Sequence, residues 1–140
     1  MFYCEIFSGI WVSDIDILNN INFLKDKDIS IILNCTEIID FPDLDLQKVR
    51  LPFSSSQSDI NNLDRLSMNY KHIISFIDSN MDTDNILISC YDGKSISILI
   101  LAIYLKHYSS LKKNEIITFL TSKCSDFNLW CDLDLFSEPP

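Results

Sequence analysis

The chain has 140 residues, 47% of them hydrophobic, and carries a formal net charge of −9 at pH 7. A chain of this length fits one domain and can bury a core without disulfides or metals, and its composition argues against a disordered or fibrous protein. Because the surface is acidic, we expect neither nucleic acid nor an anionic membrane as a partner.

The five cysteines, at positions 4, 35, 90, 124 and 131, form an odd set without a Cys-x-x-Cys pair, and the chain has only two histidines. This pattern argues against a disulfide framework and a zinc site, so we expect no metal and no other cofactor. The first residues lack the basic leader and apolar core of a signal peptide, and the longest apolar stretch, 96–105, is too short to cross a bilayer. We therefore expect a cytoplasmic or nuclear protein that is not secreted.

The first half of the chain predicts a helix, a buried strand and an extended segment. Ser13 or Asp14 caps the helix. Its apolar residues follow helical spacing: Ile17, Leu18, Ile21 and Leu24. Residues 29–35 form a β-branched, nearly all-apolar run, which is typical of a strand covered on both faces. Residues 47–53 are predicted to be extended and residues 54–58 to form a polar loop.

The second half predicts a long helix, a second buried strand and two further helices. Asn61 or Asn62 opens the long helix. Its apolar face consists of Leu63, Leu66, Tyr70, Ile74 and Ile77. Residues 85–89 form the strand, an apolar helix then runs to about His107, and the last helix spans about 111–123. Alternating units of this length predict an α/β fold with a central, mostly parallel β-sheet flanked by helices on both sides.

Residues 126–140 are predicted to form an acidic and apolar tail outside a single domain of residues 1–125. Apolar and acidic residues alternate at the end of this tail, in Leu133-Asp134-Leu135-Phe136. Two interpretations stay open here. The tail either docks onto a partner or folds back onto the body of the chain.

The segment with most functional content is the polar loop that follows the second buried strand. It consists of Ser89, Cys90, Tyr91, Asp92, Gly93, Lys94, Ser95, Ile96 and Ser97. In open α/β sheets the ligand crevice lies beyond the carboxyl ends of the strands, where this loop falls. Backbone N–H groups of such a loop and the helix dipole beneath them favour a bound anion and a thiolate. Cys90 is therefore a candidate nucleophile for phosphoryl transfer.

The order of these elements, over roughly residues 5–125, resembles the dual-specificity phosphatases of the protein tyrosine phosphatase superfamily. Their signature loop H-C-x-x-G-x-S-R-S is matched by residues 89–97, and their IPV-x-D segment by residues 51–55. The resemblance implies the fold of that family. It also implies that Cys90 keeps the nucleophile, Gly93 the tight turn, and Ser97 the hydroxyl that helps the thiolate leave.

Three positions depart from the family pattern. Ile96 replaces the phosphate-binding arginine, Ser89 replaces the histidine, and Ser55 replaces the general-acid aspartate. Asp59 is either a substitute acid or the start of the following helix, and Asp92 places a carboxylate in a loop meant for a dianion. In an active member of the family, such an arginine would bind the phosphate by two charge-assisted hydrogen bonds of about 1.5–3 kcal/mol each. A general acid would raise the rate of the reaction by about 10²–10⁴.

We therefore predict a catalytically inactive pseudophosphatase that acts by protein–protein binding, as a scaffold or a decoy. The expected partner is a protein, with a phosphoprotein or a member of a kinase or phosphatase signalling pathway among the candidates. The alternative is an active or weakly active phosphatase that uses Cys90 as nucleophile. A third interpretation is an oligomeric structural protein, such as a homodimer, with the tail or Trp11 at its interface.

Overall fold

The computed structural model describes residues 1–56, 59–127 and 129–140. Residues 57 and 58 of the predicted polar loop and residue 128 of the predicted tail lie outside these ranges. Within them, five strands form one sheet in the order β1-β2-β5-β3-β4. The strands are β1 (Tyr3–Phe7), β2 (Ile10–Ser13), β3 (Ile31–Asn34), β4 (Gln47–Arg50) and β5 (Ile86–Ser89). Only the pairing of β1 with β2 is antiparallel among the described strands, so the mostly parallel sheet is confirmed.

Helices cover both faces of this sheet, as the sequence predicts. They are α1 (Ile15–Leu18), α2 (Ile21–Asp26), α3 (Ile60–Asn80), α4 (Ser97–Tyr108), α5 (Lys113–Lys123) and a C-terminal 3₁₀ helix (Leu133–Phe136). The first two helices enclose a small core on one face, and the others enclose the main core on the opposite face. In the part of the chain that the structure describes, no helix combines the length and the apolar character needed to span a bilayer.

The central strands β3 and β5 are short and buried throughout. Their apolar, β-branched sequences suit a strand that packs against helices on both faces. α4 is apolar around nearly its whole circumference, because the sheet, α3 and α5 surround it. This packing fixes the end of β5 and the start of α4, and therefore the position of the loop between them.

The prediction of a single first helix is wrong, because the chain breaks it into α1 and α2. Asp14 caps α1 as predicted, and its Oδ1 accepts hydrogen bonds from the N–H groups of Asp16 and Ile17. Asn20 then caps α2 by accepting from the N–H of Phe23 at 3.0 Å. An asparagine side chain that accepts from an N–H group of the first turn starts a new helix, and the apolar periodicity continues across the break.

The C-terminal tail folds back onto the body of the chain. Leu133 and Phe136 are 2% and 0% exposed and belong to the main core. The Tyr70 hydroxyl donates to the carbonyl oxygen of Glu138 at 2.8 Å, and a His107 ring nitrogen is hydrogen bonded to the carbonyl oxygen of Phe136. Of the two interpretations of the tail, the structure therefore shows the second. The domain boundary at residue 125 stays a prediction.

Candidate active site

Cys90 lies at the carboxyl end of β5, where the sheet meets the amino end of α4. Its N–H donates to the carbonyl oxygen of Ser13 at the end of β2, at 3.1 Å. The thiol lies in a cavity of about 60 Å³. The residues that line this cavity are Ser54, Ser55, Cys90, Tyr91, Asp92, Ser95 and Ile96. The structure thus brings Ser55, from the loop after β4, to the same cavity as the cysteine loop.

The loop turns at Gly93, whose φ is +78°. A side chain at this position would place its Cβ 2.6 Å from the carbonyl carbon of Ser13 and 2.7 Å from the nitrogen of Asp14. Both atoms belong to the backbone and cannot move aside, so only glycine fits. Ser89 holds the same junction, since its hydroxyl donates to the carbonyl oxygen of Asp14 at 3.0 Å.

The Asp92 carboxylate occupies donors of the loop in which it lies. Its Oδ1 accepts hydrogen bonds from the N–H groups of Lys94 and Ser95, both at 2.9 Å, and its Oδ2 accepts from the Ser95 hydroxyl at 2.5 Å. Partial burial raises the pKa of Asp92, but the hydrogen bonds from Ser95 and Lys94 outweigh it and hold the pKa below its ordinary value. The loop therefore already contains an anion at neutral pH.

The Cys90 thiol is 2% exposed. Its sulfur accepts a hydrogen bond from the N–H of Ser97 at 3.4 Å and lies 3.5 Å from Oδ1 of Asp92. Burial raises the pKa of Cys90 above its ordinary value, the Asp92 charge raises it further, and the groups of Ser97 and Ile96 that favour the thiolate do not compensate. Cys90 is thus a neutral thiol, whereas a nucleophile would need to be a thiolate.

Alkylation of Cys90 by iodoacetamide should therefore be slow at pH 7 and should rise with an inflection above the ordinary pKa of a thiol. Both the raised pKa and the burial of the sulfur act in this direction. Mass spectrometry of the peptide that contains Cys90 measures the rate across pH, and the same peptide in urea-unfolded protein is the internal control. A rate plateau that begins below pH 7 in the folded chain would contradict this prediction.

Neither Ile96 nor Lys94 supplies the positive charge that a phosphate needs. The Ile96 side chain is 4% exposed and packs into the main core. The Lys94 Nζ donates to Oδ2 of Asp126 at 3.0 Å and lies 4.8 Å from the centre of the Phe2 ring. Lys94 therefore points toward the C-terminal segment, and no basic side chain lines the cavity among the described residues.

Hydrogen bonds of Asn62 fix the backbone on both sides of Ser55, the position at which the resemblance implies a general acid. This buried amide accepts from the N–H of Ser54 at 2.8 Å and donates to the carbonyl oxygens of Ser54 and Ser56. Ser55 lies between them with its side chain exposed at the cavity. A hydroxyl there has too high a pKa to replace a carboxylic acid as proton donor.

Asp59 is the N-cap of α3, so this helix begins at Ile60 and the predicted starts at Asn61 and Asn62 are wrong. Asp59 accepts from the N–H of Asn61 at 2.9 Å and from the Ser54 hydroxyl at 3.0 Å. These bonds hold the pKa of Asp59 below its ordinary value. Of the two interpretations of Asp59, the structure shows the helix start, and a cap that stays ionised is a poor acid.

The sequence did not predict the contact between the tail and the cysteine loop. The indole Nε1 of Trp130 donates to the carbonyl oxygen of Ser95 at 2.8 Å, and Asp126 pairs with Lys94. The C-terminal tail therefore packs against the cysteine loop at Lys94 and Ser95. The signal in the sequence is Trp130 together with the apolar residues Phe127, Leu129 and Leu133 of the same segment.

Comparison with known proteins gives a likeness in structure alone. No protein-family model matches the chain, and no curated protein matches it in sequence. Human DUSP28 superposes with a TM-score of 0.78 at 10% identity, over 96% of this chain and 89% of that chain. DUSP15 gives a TM-score of 0.79 at 15% identity, over 96% of this chain and 83% of that chain.

A third similar structure is the human tyrosine phosphatase-like serine/threonine/tyrosine-interacting protein. It gives a TM-score of 0.76 at 14% identity, over 96% of this chain and 92% of that chain. At these identities the comparison shows the fold. It confirms that the chain folds as the dual-specificity phosphatases do, which is what the order of its segments implied.

Proposed function

We propose that this chain, which has the dual-specificity phosphatase fold, is catalytically inactive and acts by binding another protein. The observation that carries the proposal is the Asp92 carboxylate, which uses the N–H groups of Lys94 and Ser95. These are donors of the kind that would hold the oxygens of a phosphate. Ile96 adds to this, because an aliphatic side chain packed into the core cannot bind a dianion.

The energies of these changes support inactivity. Two like charges about 4 Å apart repel by about 4 kcal/mol at an effective dielectric constant of about 20. The charge of Asp92 therefore opposes a bound phosphate by about as much as one or two charge-assisted hydrogen bonds would stabilise it. The missing arginine and the missing acid each lower the rate further, although such losses are not additive.

The alternative is a weakly active, cysteine-dependent phosphatase that acts on phosphorylated tyrosine, serine or threonine. One feature favours it. Cys90 still lies at the start of the loop, and the N–H of Ser97 still donates to its sulfur at 3.4 Å. A low rate through this sulfur requires neither Ile96 nor Ser55 to take part.

Hydrolysis of para-nitrophenyl phosphate decides between the two functions. We expect the unmodified chain to be no faster than Cys90→Ser, because the cavity offers no positive charge and no acid. The chain with Asp92→Ala, Ile96→Arg and Ser55→Asp should gain turnover that a further Cys90→Ser change removes.

Turnover by the unmodified chain that disappears in Cys90→Ser would overturn the proposal. A phosphotyrosine peptide is assayed in parallel, because an enzyme that needs contacts with a larger substrate would not hydrolyse para-nitrophenyl phosphate. Circular dichroism of each variant shows whether it is folded, since Ile96→Arg changes a core position.

A further inference from the structure

Strand β4 ends the sheet, and one of its two edges has no neighbouring strand in residues 1–56, 59–127 and 129–140. On the paired side, the N–H groups of Gln47 and Leu51 donate to carbonyl oxygens that precede and end β3, at 2.9 and 2.8 Å. Backbone groups alternate in direction along a strand, so those of Lys48 and Arg50 point away from β3. Within the described residues, no group pairs with them. The edge therefore offers free donors and acceptors to an added strand.

The α3 side of this edge is an open apolar groove of about 190 Å³. It is lined by Leu33, Val49, Leu51, His72, Ile73 and Phe76. Nearly all of the groove surface is apolar, and His72 is exposed at its rim. A strand laid beside β4 would bring every second side chain over this groove.

The opposite side of the same edge is basic. Lys48 and Arg50 alternate with Val49 along β4, so they lie on the other face of the sheet. The Arg50 guanidinium donates to the carbonyl oxygens of Thr36 and Ile39 at 2.9 and 2.8 Å. Neither Lys48 nor Arg50 forms an ion pair with a described carboxylate. The Arg50 guanidinium also lies over the Phe41 ring, 5.1 Å from its centre. Lys48 and Arg50 are therefore two cations at this edge without an ion-pair partner among the described residues.

We propose that β4 is a docking edge for an extended segment of a partner protein in which apolar and acidic residues alternate. The apolar residues enter the groove, the acidic residues face Lys48 and Arg50, and the backbone pairs with the free edge. Main-chain hydrogen bonds supply affinity in such strand addition, and the alternating side chains supply specificity. This inference deepens the proposed binding function and rests on it for the idea that the chain acts through a partner.

A second copy of this chain is a poorer occupant of the edge. Self-pairing of β4 would bring the Lys48 and Arg50 side chains of two copies together on one face, where like charges destabilise a pair. A lysine on an edge strand is itself a device against such self-pairing. The chain's own alternating segment, Leu133–Phe136, is packed against α3 and α4 and is not free to reach the edge.

The test uses fluorescein-labelled peptides of about eight residues, a length that spans one strand. The binding peptide alternates valine with glutamate. One control has the same composition with all valines before all glutamates, and the other alternates valine with lysine. We expect only the alternating valine–glutamate peptide to bind in fluorescence anisotropy. Hydrogen exchange at the Lys48 and Arg50 amides of the full chain should slow when it binds.

Two pairs of variants locate the binding. Lys48→Glu should weaken binding at least tenfold, whereas Lys123→Glu, the same charge change at an exposed lysine on α5, should change it less than twofold. Phe76→Ala should weaken it at least fivefold, and Phe119→Ala, at a half-buried phenylalanine away from the groove, should not.

Equal binding of the alternating and block peptides would overturn the inference, as would equal effects of Lys48→Glu and Lys123→Glu. A dimer in light scattering whose Lys48 and Arg50 amides are already protected would also overturn it, because a second copy would then cover the edge. These outcomes are separate from the phosphatase assay. If the chain is inactive and does not bind the peptide, the proposed function stands and only the proposal of β4 as the docking edge is overturned.

Discussion

Asp92→Ala should convert the cysteine loop into an oxyanion site, with a dissociation constant for tungstate at least tenfold lower than that of the unmodified chain. The change releases the N–H groups of Lys94 and Ser95 from the carboxylate that they now bind. It also removes a negative charge from the cavity. A tenfold gain corresponds to about 1.4 kcal/mol, well within what one removed like charge provides. Isothermal titration calorimetry measures the affinity directly.

Asp92→Asn is the matched control, because it removes the charge and keeps an acceptor for the same N–H groups. We expect its affinity for tungstate to lie between those of the unmodified chain and Asp92→Ala. The difference in tungstate affinity between Asp92→Ala and Asp92→Asn then measures the effect of freeing the two N–H donors. The difference between Asp92→Asn and the unmodified chain measures the effect of the charge. If Asp92→Ala binds tungstate no better than the unmodified chain, the carboxylate is not what opposes an oxyanion in this loop.

Much of the fold could be predicted because its central elements are buried on all sides. The apolar runs around Ile31–Asn34 and Ile86–Ser89 are strands in the structure, and Tyr70, Ile74 and Ile77 lie in the core as their helical spacing indicates. Burial leaves a strong pattern in a sequence, and this pattern was sufficient to predict the layers of the fold.

The break in the first helix was not predicted, and the sequence left two interpretations of the tail open. A local cap decides the first and long-range contacts decide the second. The cap at Asn20 interrupts an apolar pattern that continues through the break. Burial of Leu133 and Phe136 depends on a surface between α3 and α4 that exists only in the folded chain. Neither a short cap nor a docked terminal segment changes the periodicity on which a sequence-based prediction rests.

At the candidate site, the sequence showed which residues are present, and the structure showed which hydrogen bonds they form. The resemblance placed Ser55 and Ile96 with Cys90, and all three line one cavity. That a carboxylate lies in the loop was evident from the sequence. The sequence did not show that Asp92 accepts the hydrogen bonds of the loop. This depends on the left-handed turn at Gly93, which directs the N–H groups of the following residues toward the carboxylate.

Phe136→Ala should lower the free energy of unfolding by about 3–5 kcal/mol, the usual loss for a fully buried phenylalanine. Its ring is 0% exposed and lies edge-on to the Tyr70 ring, with 5.3 Å between ring centres. Urea unfolding followed by circular dichroism measures the loss. Leu135→Ala is the control, because this neighbouring side chain is 55% exposed, and its effect should stay within about 0.5 kcal/mol.

This pair of variants also tests the domain boundary at residue 125. If residues 1–125 unfold as a unit to whose stability the tail does not contribute, truncation of Phe136 leaves that stability unchanged, and the two variants unfold at the same urea concentration. If the C-terminal 3₁₀ helix belongs to the core, Phe136→Ala opens a cavity between α3 and α4 and destabilises the whole chain in one transition. The burial of Leu133 and Phe136 in the main core leads us to expect the second result.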